Sequence, residues 1–240
     1  MVGNSGRNGV EWMSSVRSGR AALAVAAVLL LTGLSGPEVV RAAGFHKYSV
    51  ARETSGANHY TGLKVTRTDP YFQISAGQNC FAPYTAPVIY QSQWIIMTSD
   101  WANWVELGTA DQCNGYQYLY WGYGTSSGWH SLGVAATPGS GSHVFDVHRV
   151  SGNTYRYYVD GTLKGSLSWT RIGWHEQVGT ESYDQYATAS KHTYGSMSRA
   201  IDQGSWVLWA GFDDWSVDTP EMCGGWDTAS QWRASENATC

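Results

Sequence analysis

From residue 47 onward the chain is a series of short runs in which apolar, β-branched and aromatic residues alternate with polar ones, each run ending at Gly, Asn, Asp or Pro. Long helical periodicity is missing almost everywhere. Successive side chains of a strand point to opposite faces, so this pattern predicts antiparallel strands rather than helices. The runs are 47–52, 60–68, 88–98, 104–109, 116–123, 143–150, 154–159, 162–169, 177–183 and 207–217. Ten such strands imply two packed sheets.

Two turns are explicit. Ser151-Gly152-Asn153 separates 143–150 from 154–159, and Asp160-Gly161 joins that run to 162–169. Asp-Gly favours the type I′ turn, whose twist matches a β-hairpin. The three runs therefore form a meander. With its Tyr158-Val-Asp-Gly161 core, the stretch 143–165 resembles the strands of concanavalin-like and laminin G-like sandwiches. The expected fold is an all-β, two-sheet antiparallel concanavalin-like β-sandwich (jelly roll) with disulfides. It would occupy residues 44–218, followed by an irregular, disulfide-stapled tail over 219–240.

The N-terminal stretch breaks the pattern. Arg7, Arg17 and Arg20 precede an apolar run, 21–34, and Pro37 and the small pair Ala42-Ala43 follow it, which is the order of a secretory signal peptide. The apolar run falls short of the ~20 residues that a membrane-spanning helix needs. Residues 1–43 are expected to be cleaved, leaving a secreted, extracellular chain with no membrane attachment. That removes four of 15 Lys+Arg and two of 19 Asp+Glu, for a net charge near −6. Nucleic acid and anionic surfaces need clustered cations, so they are excluded as partners. A monomer is expected.

Cys80, Cys113, Cys223 and Cys240 all follow the cleavage point, and an even count in an exported chain reads as disulfides. Of the three possible pairings we favour Cys80–Cys113 with Cys223–Cys240, the second stapling the C-terminus. No Cys-x-x-Cys knuckle organises a zinc site. His143 and His148 fall on opposite strand faces by parity, and Asp213, Asp214 and Asp218 read as a solvated loop. No metal is assigned. Neither a nucleotide-binding glycine pattern nor a Gly-x-Ser-x-Gly elbow is present, so no cofactor is assigned either.

Only six glutamates follow residue 43, and two of them lie inside predicted strands. Glu106 shares a strand face with Trp104 and Gly108, and Glu181 shares one with Gly179 and Tyr183. Each would sit among aromatics, beside a glycine that leaves room for an approaching group. No Lys or Arg lies between Arg67 and Arg149. Desolvation without a cation raises a carboxyl pKa, and two carboxyls sharing a site divide into an acid and a base. Trp and Tyr, 13 and 15 against 5 Phe, suit a half-wet ligand face. Trp104, Tyr118, Trp121 and Tyr183 are the candidate substrate-binding rings.

Tyr60-Thr-Gly-Leu-Lys-Val65, Ser92-Gln-Trp-Ile95, Glu106-Leu-Gly108, Tyr118-Leu-Tyr-Trp121 and Val178-Gly-Thr-Glu181 occur in the motif order of the neprosin-type glutamic peptidases, which they resemble. Those enzymes are β-sandwiches with one glutamate in a Glu-x-Gly-Trp strand and one in a Gly-Gly-Glu strand. The related eqolisin type uses Gln and Glu. The resemblance implies that Glu106 and Glu181 are a catalytic pair cleaving peptide bonds at acidic pH. This chain departs from the motifs at Thr109, where the family has Trp, and at Thr180, where it has Gly. Two other readings compete: a non-catalytic, lectin-like module that stacks extracellular glycans on the same rings, and a structural or protein-binding role in which the aromatics are core. The partner is accordingly an extracellular peptide or glycan.

Overall fold

The computed structural model describes residues 47–53, 60–69, 89–98, 100, 102–112, 116–170, 175–182, 192–201, 205–209, 215–217 and 222–236. The expected signal peptide, Cys80, Cys113, Cys240, Tyr183, Asp213, Asp214 and Asp218 lie outside them. The expected disulfide pairings therefore lie outside them too. Among the described residues there is no helix. The strands are β1 (Lys47–Arg52), β2 (Tyr60–Asp69), β3 (Ile89–Thr98), β4 (Trp104–Gln112), β5 (Gln117–Thr125), β6 (Gly128–Ala136), β7 (Gly141–Ser151) and β8 (Thr154–Val159). They continue with β9 (Thr162–Ser168), β10 (His175–Ser182), β11 (His192–Ile201), β12 (Ser205–Leu208), β13 (Trp215–Val217), β14 (Met222–Thr228) and β15 (Gln231–Glu236).

Two antiparallel sheets form the expected sandwich. One runs β13-β1-β10-β3-β4-β5-β6; the other runs β14-β15-β11-β2-β7-β8-β9, with β12 also paired to β11. The meander β7–β8–β9 is present. Its second turn has Asp160 and Gly161 at φ 50° and 72°, the two positive values that a type I′ turn requires. Three expectations need correction. β6 and β11 were not predicted; 207–217 is two separate strands, β12 and β13; and 222–236, expected to be irregular, is a β14–β15 hairpin belonging to the second sheet.

The main core lies between the sheets, where Leu63, Val65, Ile95, Met97, Leu107, Leu119, Phe145, Val147 and Val178 are buried. Polar side chains of the second sheet cross this core and end on main-chain carbonyls of the first. Arg67 donates to Gln93 O at 2.9 Å, Tyr157 to Gly122 O at 2.9 Å and Tyr194 to Gly179 O at 2.5 Å. A buried carbonyl without a donor is costly, so these three fix how the sheets sit on one another. The first sheet is buried on its outer face as well. There Val50, Trp94, Ile96, Trp104, Ala110, Tyr118, Tyr120 and Trp129 form a second cluster.

Candidate active site

Glu106 and Glu181 both project into this outer cluster, on β4 and β10, with β3 between them. In register, Glu181 lies opposite Ser92 and Ile96 opposite Glu106. Four residues along β3 and two strand spacings across put the two Cα atoms roughly 16 Å apart, at about 3.3 Å per residue and 4.8 Å per strand. The carboxyls are near enough that the charge of Glu181 is felt at Glu106.

Glu106 is 3 % exposed. Its Oε2 accepts the Trp104 indole N–H at 2.8 Å, and its Oε1 accepts the Tyr120 hydroxyl at 2.5 Å. The same strand alternation that placed Trp104 beside it also delivers this donor, two residues away on one face. Burial pushes the Glu106 pKa up to about 8; the Tyr120 hydrogen bond opposes that rise, the Glu181 charge adds to it, and the Trp104 hydrogen bond opposes it. Glu106 is therefore a protonated acid at neutral pH.

Glu181 is also buried, and its Oε1 accepts the Ser92 hydroxyl at 2.8 Å. Two buried carboxyls on one sheet face, of which Glu106 is held protonated by burial, are groups that general acid–base hydrolysis can use.

The glycines beside the two glutamates do leave room, but neighbouring aromatics take it. A Cβ at Gly108 would stand 2.7 Å from the Tyr120 hydroxyl, and one at Gly179 would stand 2.5 Å from the Trp94 ring. Among the predicted rings, Trp104 and Tyr118 lie in the outer cluster, both buried. Trp121 does not join them. It points between the sheets, packed on the main core, and its ring fills the space over Gly133 and Gly165. Its parity, opposite to that of Tyr118, already carried that signal.

Sequence reasoning gave no role to Ser92, Tyr120 or Trp129. Ser92 stood inside a quoted motif and Tyr120 shared a face with Tyr118, but β6, which carries Trp129, was not expected at all. The departures Thr109 and Thr180 face the other way. Thr109 Oγ1 takes a hydrogen bond from Arg67 at 2.8 Å and donates to the Gln93 side chain at 2.9 Å, and Thr180 Oγ1 lies 3.1 Å from the Tyr194 hydroxyl. Both tie the sheets together from the face opposite the glutamates. Among the described residues no group of three or more His, Cys, Asp or Glu is placed to hold a metal ion.

No family model matches the chain, and no curated protein matches it in sequence. Solved structures do match. Scytalido-glutamic peptidase, in complex with a peptide-based transition state analog, aligns with a TM-score of 0.55 at 10% identity, over 79% of this chain and 98% of that one. SCP-B, a member of the eqolisin family of peptidases in complex with the tripeptide Ala-Ile-His, aligns with a TM-score of 0.53 at 11% identity, over 80% and 97%. At this identity the likeness is one of fold.

Proposed function

We propose that this chain is a glutamic-peptidase-like hydrolase, acting outside the cell on peptide bonds with Glu181 as base and Glu106 as acid. The observation that carries the reading is the pair itself: two buried carboxyls on one face of the sheet, of which Glu106 holds its proton up to about pH 8, with the charge of Glu181 among the causes. The fold shared with eqolisin-type peptidases supports the reading, and the neprosin-type motif order is consistent with it.

The carboxylate of Glu181 takes a proton from water as the water oxygen bonds to the peptide carbonyl carbon, and Glu106 gives its proton to the carbonyl oxygen. A neutral gem-diol results. Glu181 then returns its proton to the amide nitrogen as the C–N bond breaks, and Glu106 recovers a proton from one diol hydroxyl. Both groups end as they began. The high pKa of Glu106 means that this cycle does not require an acidic medium; its upper limit is the loss of the Glu106 proton near pH 8.

The test is mass-spectrometric detection of cleavage in an unfolded protein substrate from pH 3 to 9. Glu106→Gln and Glu181→Gln should each lower the rate by 100-fold or more while the chain keeps its β-sheet circular dichroism. Cleavage that survives in both variants sinks the assignment. Glycan binding retained in both variants but lost in Trp104→Ala would favour the lectin-like reading instead.

A further inference from the structure

We infer that the β5–β6 margin of the outer face is an apolar substrate subsite, taking a hydrophobic side chain about three or four residues from the scissile bond of an extended peptide. The inference rests on the peptidase-like reading and deepens it by naming what the peptide carries. Val134 lies opposite Tyr120 in register and Ala136 opposite Tyr118, so both side chains stand on the face of the sheet that bears Glu106. Glu106 is itself hydrogen-bonded to Tyr120. Tyr116 continues the same line: its ring stacks on that of Tyr118 at 6.0 Å and 20°, and the Tyr118 ring stands 6.3 Å from that of Tyr120. The acid is thus one end of a row of tyrosines.

The far end of that row is open to solvent. Tyr118 and Tyr120 are buried, but Tyr116 is 56 % exposed, Val134 is 57 % exposed and Ala136 is exposed beside them. Isolated exposed apolar residues are ordinary, whereas contiguous ones mark interaction surfaces. The patch also lacks charge: no Asp, Glu, Lys or Arg occurs from residue 112 to residue 145, a run that includes all of β5 and β6. An edge strand usually carries charge against unwanted pairing, yet β6, the last strand of its sheet among the described residues, carries none. Two strand spacings and two residues separate Val134 from Glu106, about 12 Å between Cα atoms. An extended peptide covers that distance in roughly three or four residues. An aliphatic or aromatic side chain at that position buries apolar surface on Val134, Ala136 and Tyr116, and a charged one finds no counter-charge there.

The experiment is a cleavage-specificity profile, in which wild type and Val134→Lys, as full chains, digest a randomised dodecapeptide library and the cut sites are read by mass spectrometry. Wild type should prefer Leu, Ile, Phe or Tyr at one position about three or four residues from the cut. Val134→Lys should lower that preference about five- to tenfold, admit Asp and Glu at the same position, and leave the residues flanking the cut unchanged. Both chains should hydrolyse a peptide trimmed short of that position at rates within about twofold of each other, which a variant that merely disturbed folding would not do. A wild-type profile that is flat at those positions, or one that Val134→Lys does not move, overturns the subsite and leaves the peptidase reading standing. A wild-type dimer that Val134→Lys dissociates in sedimentation, with the profile unmoved, overturns it in favour of a second copy of this chain on the patch. A wild type that cleaves nothing in the library removes the underlying reading, and this inference with it.

Discussion

Glu106 owes its acidity to three neighbours that oppose one another. Burial and the Glu181 charge hold the proton on, and the hydrogen bonds from Tyr120 and Trp104 favour releasing it. Removing the Tyr120 hydroxyl should therefore raise the Glu106 pKa further above 8. In Tyr120→Phe the high-pH limb of a pH–rate profile should move to higher pH while the maximal rate falls severalfold, because the acid loses the group that orients Oε1. A limb that stays in place would mean Tyr120 is only packing. Gly108 is the position that admits this hydroxyl, and a Cβ there would also crowd Gln93 O, a main-chain atom that cannot step aside. Gly108→Ala should cost roughly 1–3 kcal/mol of stability, read as a shift in the urea midpoint. Much of this neighbourhood was legible in the chain itself: period-two alternation placed Trp104 beside Glu106 and set Trp121 apart from Tyr118. The glycines beside each glutamate were read correctly as space, but sequence could not say that Tyr120 and Trp94, from adjacent strands, would fill it.

Strands were legible where one face is wet and one dry, or where a turn announces itself. Asp160-Gly161 fixes β8 and β9 because both residues must adopt positive φ. β6 escaped because its apolar residues Leu132 and Val134 are exposed, so burial and hydrophobicity do not coincide along it. β11 escaped because a bulge between Gly195 and Ser198, with Ser196 at φ 48°, breaks its period. β3 shows the reverse case. Trp94, Ile95, Ile96 and Met97 form an unbroken apolar run because both faces of its sheet are buried. What no local pattern reveals is that β3 separates β4 from β10, the order that brings Glu106 and Glu181 to one face. That order is held from beneath by Arg67, which is fully buried, donates to Gln93 O and Thr109, and lies 3.9 Å from the Phe145 ring. Arg67→Met should destabilise by roughly 3 kcal/mol or more, since two buried bonds from a charged donor are lost. Thr109→Val, which removes one of them, should cost about 1–2 kcal/mol. Equilibrium urea unfolding of both variants measures these values, and a Thr109→Val cost as large as that of Arg67→Met would show that the two do not form one strut.

The acid site also ties the stability of the whole sandwich to pH. A glutamate in the unfolded chain titrates near 4.5, whereas Glu106 in the folded chain titrates near 8. Between those values the native state binds a proton that the unfolded state has released, so unfolding becomes easier as pH rises. The contribution of Glu106 is fully present below pH 4.5, declines across the interval and is gone above about pH 8. A shift of that size corresponds to roughly 5 kcal/mol in all, at about 1.4 kcal/mol per pH unit. Other groups contribute their own slopes, so the informative quantity is the difference between wild type and Glu106→Gln, whose amide is neutral throughout. That difference should favour wild type most at pH 4, shrink steadily towards neutrality and reverse or level off by pH 9, as followed by thermal unfolding at half-unit steps. A difference that does not change with pH would mean Glu106 titrates like a solvated carboxyl. The protonated acid on which the proposed hydrolysis depends would then be absent at neutral pH. Stability and catalysis therefore test the same proton by independent measurements: the pH at which wild type loses its advantage over Glu106→Gln should coincide with the high-pH limb of peptide cleavage.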